Sequence, residues 1–135
     1  SAINNHLFQR KKEEENFDLP SVDVQFHNFL TVKTLLDSGS NRNILCEGLY
    51  RRLVELKVAK PLAASELKCV SAQNKKMLIL GKVNVKIKIN KFSWKITFLV
   101  IKDLLQQAIL GATFMKDTGM LLDLKRNQFY FDFKP

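Results

Sequence analysis

Hydrophobic and polar residues alternate along most of the chain, which predicts a mostly β domain. The alternation is regular over residues 22–26, and a second strand follows over residues 30–36. It returns over residues 83–89 and 94–100, on either side of a turn near Lys91. We therefore expect two long antiparallel strands in this second region.

Two short helices interrupt the strands. The first is predicted from apolar residues that recur at spacings of three and four, with Asn41 or Asn43 as its cap and an end before Pro61. The apolar residues of this face are Ile44, Leu45, Leu49, Leu53, Val54 and Leu56. The second helix follows Gly111 and ends near Gly119. A final hairpin is expected from Leu121 to Phe133, with its turn at residues 125–127.

The chain divides into a polar leader, residues 1–19, and one folded domain, residues 20–135. Apolar residues make up 46% of the sequence, as in globular proteins, and no run is long and apolar enough to span a membrane. The first residue is Ser rather than Met, which suggests an excised fragment or a processed polyprotein. The apolar core of a secretory signal peptide is not found at the N-terminus.

The net charge of the chain indicates which partners it could attract. Its cysteines and histidines do not have the spacing of a metal site. Cys46 and Cys69 lack the spacing of a metal site, and we expect free thiols in a reducing compartment. His6 and His27 are too scattered for a metal site or a catalytic triad. The net charge of +9 allows nonspecific contact with nucleic acid, although no zinc knuckle or glycine-rich RNA-binding motif is present. The alternating lysines of the two long strands are expected on a solvated sheet face: Lys82, Lys86, Lys88, Lys91 and Lys95.

One stretch carries the main candidate chemistry, namely Leu35-Leu36-Asp37-Ser38-Gly39-Ser40. An apolar strand there runs directly into a carboxylate, and a carboxylate at the end of a buried strand is costly unless it is used. The glycine allows a tight turn and a close approach by a ligand. An Asx or Ser turn that merely ends the strand would give the same residues.

A second stretch, residues 108–115, has an apolar strand, then Gly111, then a short helical turn with Phe114 and Met115. An apolar strand with Asp-Ser-Gly followed by an apolar strand with Leu-Gly-x-x-Phe resembles the retropepsin-like aspartic proteases. From residue 22 to residue 133 the chain is similar to the protease domains of retroviruses and of LTR retrotransposons of the gypsy or BEL type. The resemblance implies a closed β-barrel that forms a single lobe and works as a two-fold homodimer.

The resemblance also implies roles for the residues of the first stretch. Asp37 would be the catalytic aspartate, Gly39 would offer its backbone to substrate, and the Ser38 hydroxyl would tie two active-site loops together. The Ser40 hydroxyl would either donate to the carboxylate of Asp37 or point into a backbone turn. Asn41 and Arg42 occupy positions where retroviral enzymes often carry two substrate-contacting aspartates. Ala112 stands where those enzymes often carry an Arg, so both halves of that ion pair are absent here.

The segment from Leu67 to Lys76 resembles by position the flap that closes over substrate in this family. Its tip lacks the glycines of retroviral flaps, and an ordinary hairpin would also fit the pattern. The substrate-contacting residues expected here are Val70, Ser71, Ala72, Gln73 and Asn74.

A second triplet, Asp117-Thr118-Gly119, could be mistaken for the active site. It follows a predicted helix rather than a strand, so we interpret it as a helix end with a glycine C-cap. Asp117 is therefore expected to be a surface residue.

The predicted function is that of an aspartic endopeptidase that cleaves a Gag-Pol-type polyprotein as a homodimer and needs no cofactor or metal. The resemblance further implies a cytoplasmic location within virus-like particles. Two alternatives remain from the sequence: a catalytically silent dimeric module with the same fold, and a basic nucleic-acid-binding β domain with an accidental motif.

Overall fold

The computed structural model of the protein describes residues 19–62, 68–72, 75–126 and 128–132. The predicted leader lies outside these residues except for Leu19, as does Phe133 of the predicted final hairpin. The described residues form nine strands and two short helices. In chain order these are β1 (Ser21–His27), β2 (Leu30–Asp37), β3 (Asn43–Cys46), α1 (Glu47–Glu55), β4 (Lys68–Ala72), β5 (Lys75–Ile89), β6 (Phe92–Ile101), β7 (Ala108–Gly111), α2 (Ala112–Thr118), β8 (Met120–Asp123) and β9 (Gln128–Phe131).

Six strands close into a barrel in the order β1-β2-β7-β3-β6-β5, and the pairing of Gln25 with Lys88 joins β5 back to β1. β2 runs parallel to β7, and β3 runs parallel to β6, whereas the other neighbours are antiparallel. β4 adds to the free side of β5 and ends the sheet. The prediction of a mostly β, closed barrel with one or two short helices is confirmed.

The barrel is filled by the apolar half of each alternating strand. In β5, Val83, Val85, Ile87 and Ile89 are buried, and the residues between them are exposed. This division follows from the two-residue period of a strand, which sends successive side chains to opposite faces. The largest fully buried side chains in the core are Phe98, Phe114, Leu36, Leu45, Leu53, Ile87, Ile89, Ile101 and Leu110.

The first helix begins later than the sequence pattern indicates. Neither Asn41 nor Asn43 caps it, because residues 43–46 form β3 between β7 and β6. The cap is Cys46, whose Sγ accepts a hydrogen bond from the backbone N of Leu49 at 3.3 Å. Its thiol is free, as predicted. The apolar residues at 44 and 45 belong to the core through a strand, and a run of four residues cannot reveal which period it follows. The helix ends at Glu55, before Pro61 as predicted.

The two long strands were predicted correctly, but β5 is longer than expected. It continues through Gly81, where a bulge shifts the register with β6 between Ile79 and Gly81. On the N-terminal side of the bulge, β5 also pairs with β4, from Lys68 opposite Ile79 to Ala72 opposite Lys75. The segment resembling a flap is therefore a hairpin of β4 and the first part of β5.

The chain end is a hairpin of β8 and β9, as predicted, and much of its aromatic surface is covered within the same chain. Phe129 is buried, and the ring of Phe131 packs on that of Trp94 with 5.0 Å between centroids. Tyr130 and Leu121 remain exposed on the outer side. We expected a dimer interface to provide some of the cover, and among the described residues of the hairpin Leu124 is exposed together with these two side chains.

Candidate active site

Asp37 is the last residue of β2 and lies where two parallel strands end together. Parallel pairing aligns Leu35 with Ile109 and Asp37 with Gly111 at the end of β7. On the other side of β2, the backbone N of Leu36 donates to Pro20 O at 2.8 Å. The carboxylate is thus carried on a strand held from both sides, and its side chain is half-buried.

Residues 37–40 form a tight turn closed by the backbone and by the Asp37 carboxylate. The backbone N of Ser40 donates to Asp37 O at 3.0 Å, and the backbone N of Gly39 donates to Asp37 Oδ1 at 2.9 Å. Within the described residues, nothing hydrogen-bonds to the other carboxylate oxygen, Oδ2, or to the exposed hydroxyl of Ser38. The Asx turn therefore forms, and it orients the carboxylate by one oxygen while the second is left for another partner.

The Ser40 hydroxyl belongs to the turn and not to the carboxylate. Its Oγ donates to Arg42 O at 2.7 Å and accepts from the backbone N of Arg42 at 3.3 Å. Of the two arrangements that the sequence allowed, the structure has the one in which Ser40 points into a backbone turn. A short hydroxyl two residues from a free carbonyl finds a local partner readily.

The turn lies directly on Gly111, and this contact requires glycine. A Cβ at position 111 would lie 2.5 Å from Ser40 O and 2.6 Å from Arg42 O, both backbone atoms. The backbone N of Ala112 donates to the same Ser40 O at 2.7 Å. The glycine of the second stretch therefore lets the end of β7 touch the turn that follows Asp37.

Asn43 is a site residue that the sequence reasoning missed, because we considered it only as a helix cap. Its side chain is buried, and its Oδ1 accepts a hydrogen bond from the backbone N of Gly111 at 2.9 Å. Its Nδ2 donates to Thr97 O on β6 at 3.3 Å. One carboxamide thus joins three strands next to the partner of Asp37. A polar residue at the start of the apolar run 43–46 was the available signal, since a buried amide needs partners.

A hydrogen bond joins the loop after the turn to the start of α2. The Thr113 hydroxyl at the start of α2 donates to the backbone O of Asn41. With the bond from Ala112 to Ser40, it fixes the loop after the turn to the N-terminal end of the helix. Two neutral hydrogen bonds to the backbone thus hold these two segments together.

Asn41 and Arg42 line a cleft of about 420 Å³ between α2 and β6. The other lining residues are Asn43, Lys95, Ile96, Thr97, Leu99, Thr113, Phe114 and Asp117. Asp37 does not line this cleft. Within one chain, the structure thus groups Ser38, Gly39 and Ser40 with Asp37 in one turn, and it places the side chains of the next two residues at a neighbouring cleft.

The predicted flap residues fall partly within the described chain. Val70, Ser71 and Ala72 are backbone members of β4, paired with residues 75–77 of β5. Gln73 and Asn74, the predicted tip, lie outside the described residues. The hairpin is confirmed, and its contact with substrate stays a prediction.

The second triplet is a helix end, as predicted. Asp117 is exposed in the last turn of α2, and Gly119 is the C-cap with φ of 74°, in the left-handed region that glycine favours. The Thr118 hydroxyl is buried and donates to Phe114 O at 2.7 Å. Among the described residues, only one Asp-x-Gly triplet thus ends a buried strand.

The described residues contain no cluster of three His, Cys, Asp or Glu side chains that could hold a metal ion. They also contain no helix long and apolar enough to cross a membrane. At the turn, the Asp37 carboxylate has one oxygen held by the backbone N of Gly39 and one without a partner among the described residues.

No protein-family model matches the sequence, and the search of curated proteins found no match. Solved structures are similar to it in fold. The retroviral protease-like domain of Ddi1 from Leishmania major is 23% identical, with a TM-score of 0.66 over 83% of this chain and 86% of that chain. The EIAV protease, solved in complex with the inhibitor HBY-793, is 24% identical, with a TM-score of 0.54 over 74% of this chain and 88% of that chain. The barrel that carries Asp37 therefore has the retropepsin fold of retroviral protease-like domains.

Proposed function

We propose that this protein is an aspartic endopeptidase that acts as a homodimer, with Asp37 as its catalytic residue. The observation that carries the proposal is the setting of Asp37 at the paired ends of β2 and β7. There its Oδ1 is held by the backbone N of Gly39, and the described residues leave its Oδ2 without a partner. The retropepsin fold around this turn supports the same chemistry.

The chemistry needs two carboxylates that share one proton. The ionised one activates a water molecule, and the protonated one polarises the carbonyl of the scissile peptide bond. The described part of one chain supplies a single strand-end Asp-Ser-Gly turn. The second carboxylate therefore comes from Asp37 of a second copy, which makes the homodimer a chemical requirement of the proposal.

The substrate is a polypeptide, and we propose a polyprotein of the Gag-Pol type. The β4–β5 hairpin would close over the peptide, with residues 70–74 as the expected contacts, and Gly39 would offer its backbone to it. Asn41 and Arg42 would contact residues of the substrate farther from the scissile bond. Because two aspartates are replaced there by an amide and a guanidinium, acidic rather than basic substrate residues are favoured at those subsites.

The test compares Asp37→Asn with Asp117→Asn, the same substitution in the other Asp-x-Gly triplet. Cleavage of a peptide library is measured with and without pepstatin. We expect Asp37→Asn to lower kcat/KM by at least about a hundredfold, because an amide cannot share the proton of the dyad. Circular dichroism and sedimentation should be unchanged, since the amide is nearly isosteric with the carboxyl. Asp117→Asn should cleave like wild type, and activity of Asp37→Asn within tenfold of wild type would refute the assignment.

The dimer is tested by dilution. Specific activity should fall as the protein concentration passes below the dissociation constant measured by sedimentation, because each chain holds half of the site. Constant specific activity in a species shown to be monomeric would contradict the proposal.

A further inference from the structure

The net positive charge of this protein comes from one part of its sequence. Residues 68–102 contain nine basic residues and no Asp or Glu. The whole chain has 22 basic and 13 acidic residues, so the rest of the chain carries thirteen of each and is formally neutral. The whole formal charge of +9 therefore belongs to the segment that forms β4, β5 and β6. The nine are Lys68, Lys75, Lys76, Lys82, Lys86, Lys88, Lys91, Lys95 and Lys102.

The fold brings four of these lysines to the outer surface of the barrel. Lys82, Lys86 and Lys88 are exposed at alternate positions of β5, and Lys95 of β6 lies directly opposite Lys86. We call these four residues the basic face. Like charges that face each other across two strands are destabilising, and an anion bound between Lys86 and Lys95 would relieve their repulsion.

Two clefts extend the basic face to either side. One, of about 450 Å³, is lined by Lys86 and Lys88 together with His27 and Asn28 at the end of β1. The other is the cleft of about 420 Å³ described above, which is lined by both Lys95 and Arg42. A row of cationic and polar groups thus runs across β3, β6, β5 and β1. Neighbouring strands lie about 4.8 Å apart, so the row is about 15 Å long.

Two carboxylates border this row. Asp117 lines the cleft that contains Arg42 and Lys95. Asp23 is exposed on β1, where its cross-strand partner is Lys33. Neither one makes an ion pair with a lysine of the basic face within the described residues. The four lysines are therefore available to an external anion.

An exposed aromatic ring stands at one end of the row. Phe29, in the turn between β1 and β2, is 87% exposed. Its ring contacts that of His27 with 5.7 Å between centroids, and its backbone N donates to His27 Nδ1 at 3.2 Å. The turn thus holds Phe29 beside a residue that lines the cleft with Lys86 and Lys88.

We propose that the basic face and Phe29 bind single-stranded nucleic acid. The lysines would neutralise successive phosphates, and a base would stack on Phe29. Single strands favour this combination because their bases are free to stack on aromatic side chains, whereas the bases of a duplex are already stacked. The site lies on the outer surface of the barrel, and it does not depend on catalysis at Asp37.

The first experiment measures binding of a fluorescent single-stranded oligonucleotide by anisotropy between 50 and 200 mM salt. Four phosphate contacts on a single strand predict a slope of about −3 for log K against log salt, which is a loss of about 50-fold over this range. The triple variant Lys86→Gln, Lys88→Gln, Lys95→Gln should bind at least about tenfold more weakly at 50 mM salt. Its slope should be shallower, about −1 instead of about −3.

The matched control removes the same charge elsewhere, with Arg52→Gln, Lys60→Gln and Lys125→Gln. These three residues are exposed and lie outside the basic face and its clefts. The control should bind within about threefold of wild type and keep its slope. Equal losses in the two triple variants would mean that net charge alone attracts the nucleic acid, and the basic face would be refuted. Thermal melting verifies that both variants are folded.

The second experiment tests stacking with Phe29→Ala and Phe29→Trp. The alanine variant should weaken binding by about tenfold without changing the salt slope, and the tryptophan variant should retain wild-type affinity. A duplex of the same sequence should bind more weakly than the single strand. Equal binding of the duplex together with a silent Phe29→Ala would overturn the proposal, as would stronger competition by an acidic peptide than by the unlabelled oligonucleotide.

Discussion

Asn43→Ala should destabilise this protein well beyond the average cost of removing one hydrogen-bonding side chain. The carboxamide is buried, and its loss leaves the backbone N of Gly111 without its acceptor at 2.9 Å. An unpaired buried donor costs about 1–3 kcal/mol. The longer bond to Thr97 O, at 3.3 Å, adds about 0.5 kcal/mol at the weak end of hydrogen-bond energies. We expect a total of about 2–3 kcal/mol, equivalent to a fall in Tm of about 10 °C for a chain of this size.

The same substitution should reduce the proposed peptidase activity because of its location. Gly111 is the register partner of Asp37, so a loosened end of β7 lets the turn at Asp37 move. Displacements of about 1 Å near a reacting group cost about a hundredfold in rate. The assay is urea unfolding followed by kcat/KM on one peptide, measured well below the melting temperature of the variant so that all molecules are folded.

Asn84→Ala is the matched control, since it removes the same type of side chain from an exposed position. Like Asn43, Asn84 makes a hydrogen bond with Thr97. Asn84 Oδ1 accepts from the Thr97 hydroxyl at 2.6 Å, and the pair is exposed to water. Its removal should change the free energy of unfolding by about 0.5 kcal/mol or less. If the two alanine variants lose equal stability, the buried bridge to Gly111 is not what holds the end of β7.

Three further predictions concern single side chains. Ser40→Ala should leave the acidic limb of the kcat/KM profile against pH unmoved, because the hydroxyl contacts backbone rather than the Asp37 carboxylate; an upward shift would show a direct bond. Asp117→Ala should change the free energy of unfolding by about 0.5 kcal/mol or less and leave peptide cleavage intact, and loss of cleavage in the folded variant would point to the wrong triplet. The backbone N and the guanidinium of Arg126 lower the pKa of Asp123, so Asp123→Asn should be slightly less stable at neutral pH. That deficit should shrink as the pH falls through the lowered pKa, and a deficit unchanged at pH 2 in urea unfolding would exclude the ionic contribution.

The strands of the barrel and the candidate catalytic turn could be predicted because both leave local signals, whereas the closure of the strands into a barrel was implied only by the resemblance to retropepsin-like proteases. Alternation in β5 and β6 marks which side chains enter the core, and Asp-Ser-Gly after an apolar strand marks the turn. Gly119 after Asp117 marks a helix end rather than a strand end. Each signal lies within a few neighbouring residues. It acts by favouring particular φ and ψ angles or by setting the face on which a side chain lies.

The start of α1 could not be predicted in the same way. Residues 43–46 are a short apolar run that suits either a helix or a strand, and the choice depends on the strands beside it. Placed between β7 and β6, the run gains backbone hydrogen bonds on both sides, and the helix then begins at Glu47 with the thiol of Cys46 as its cap. The competing partners are about 60 residues away in sequence, so no local window contains the information.

By itself, the sequence determined the period of each strand, the position of the strand-end carboxylate and the concentration of lysines on one segment. Tertiary structure alone decided which strands distant in sequence are neighbours, and with that the partners of Asn43 and Thr113. The physical reason is that a side chain's face follows from the backbone period, whereas a hydrogen-bond partner is whichever donor or acceptor the closed barrel brings within about 3 Å. Closure of β1 on β5 through Gln25 and Lys88 also joins the turn that carries Phe29 to the lysines of β5.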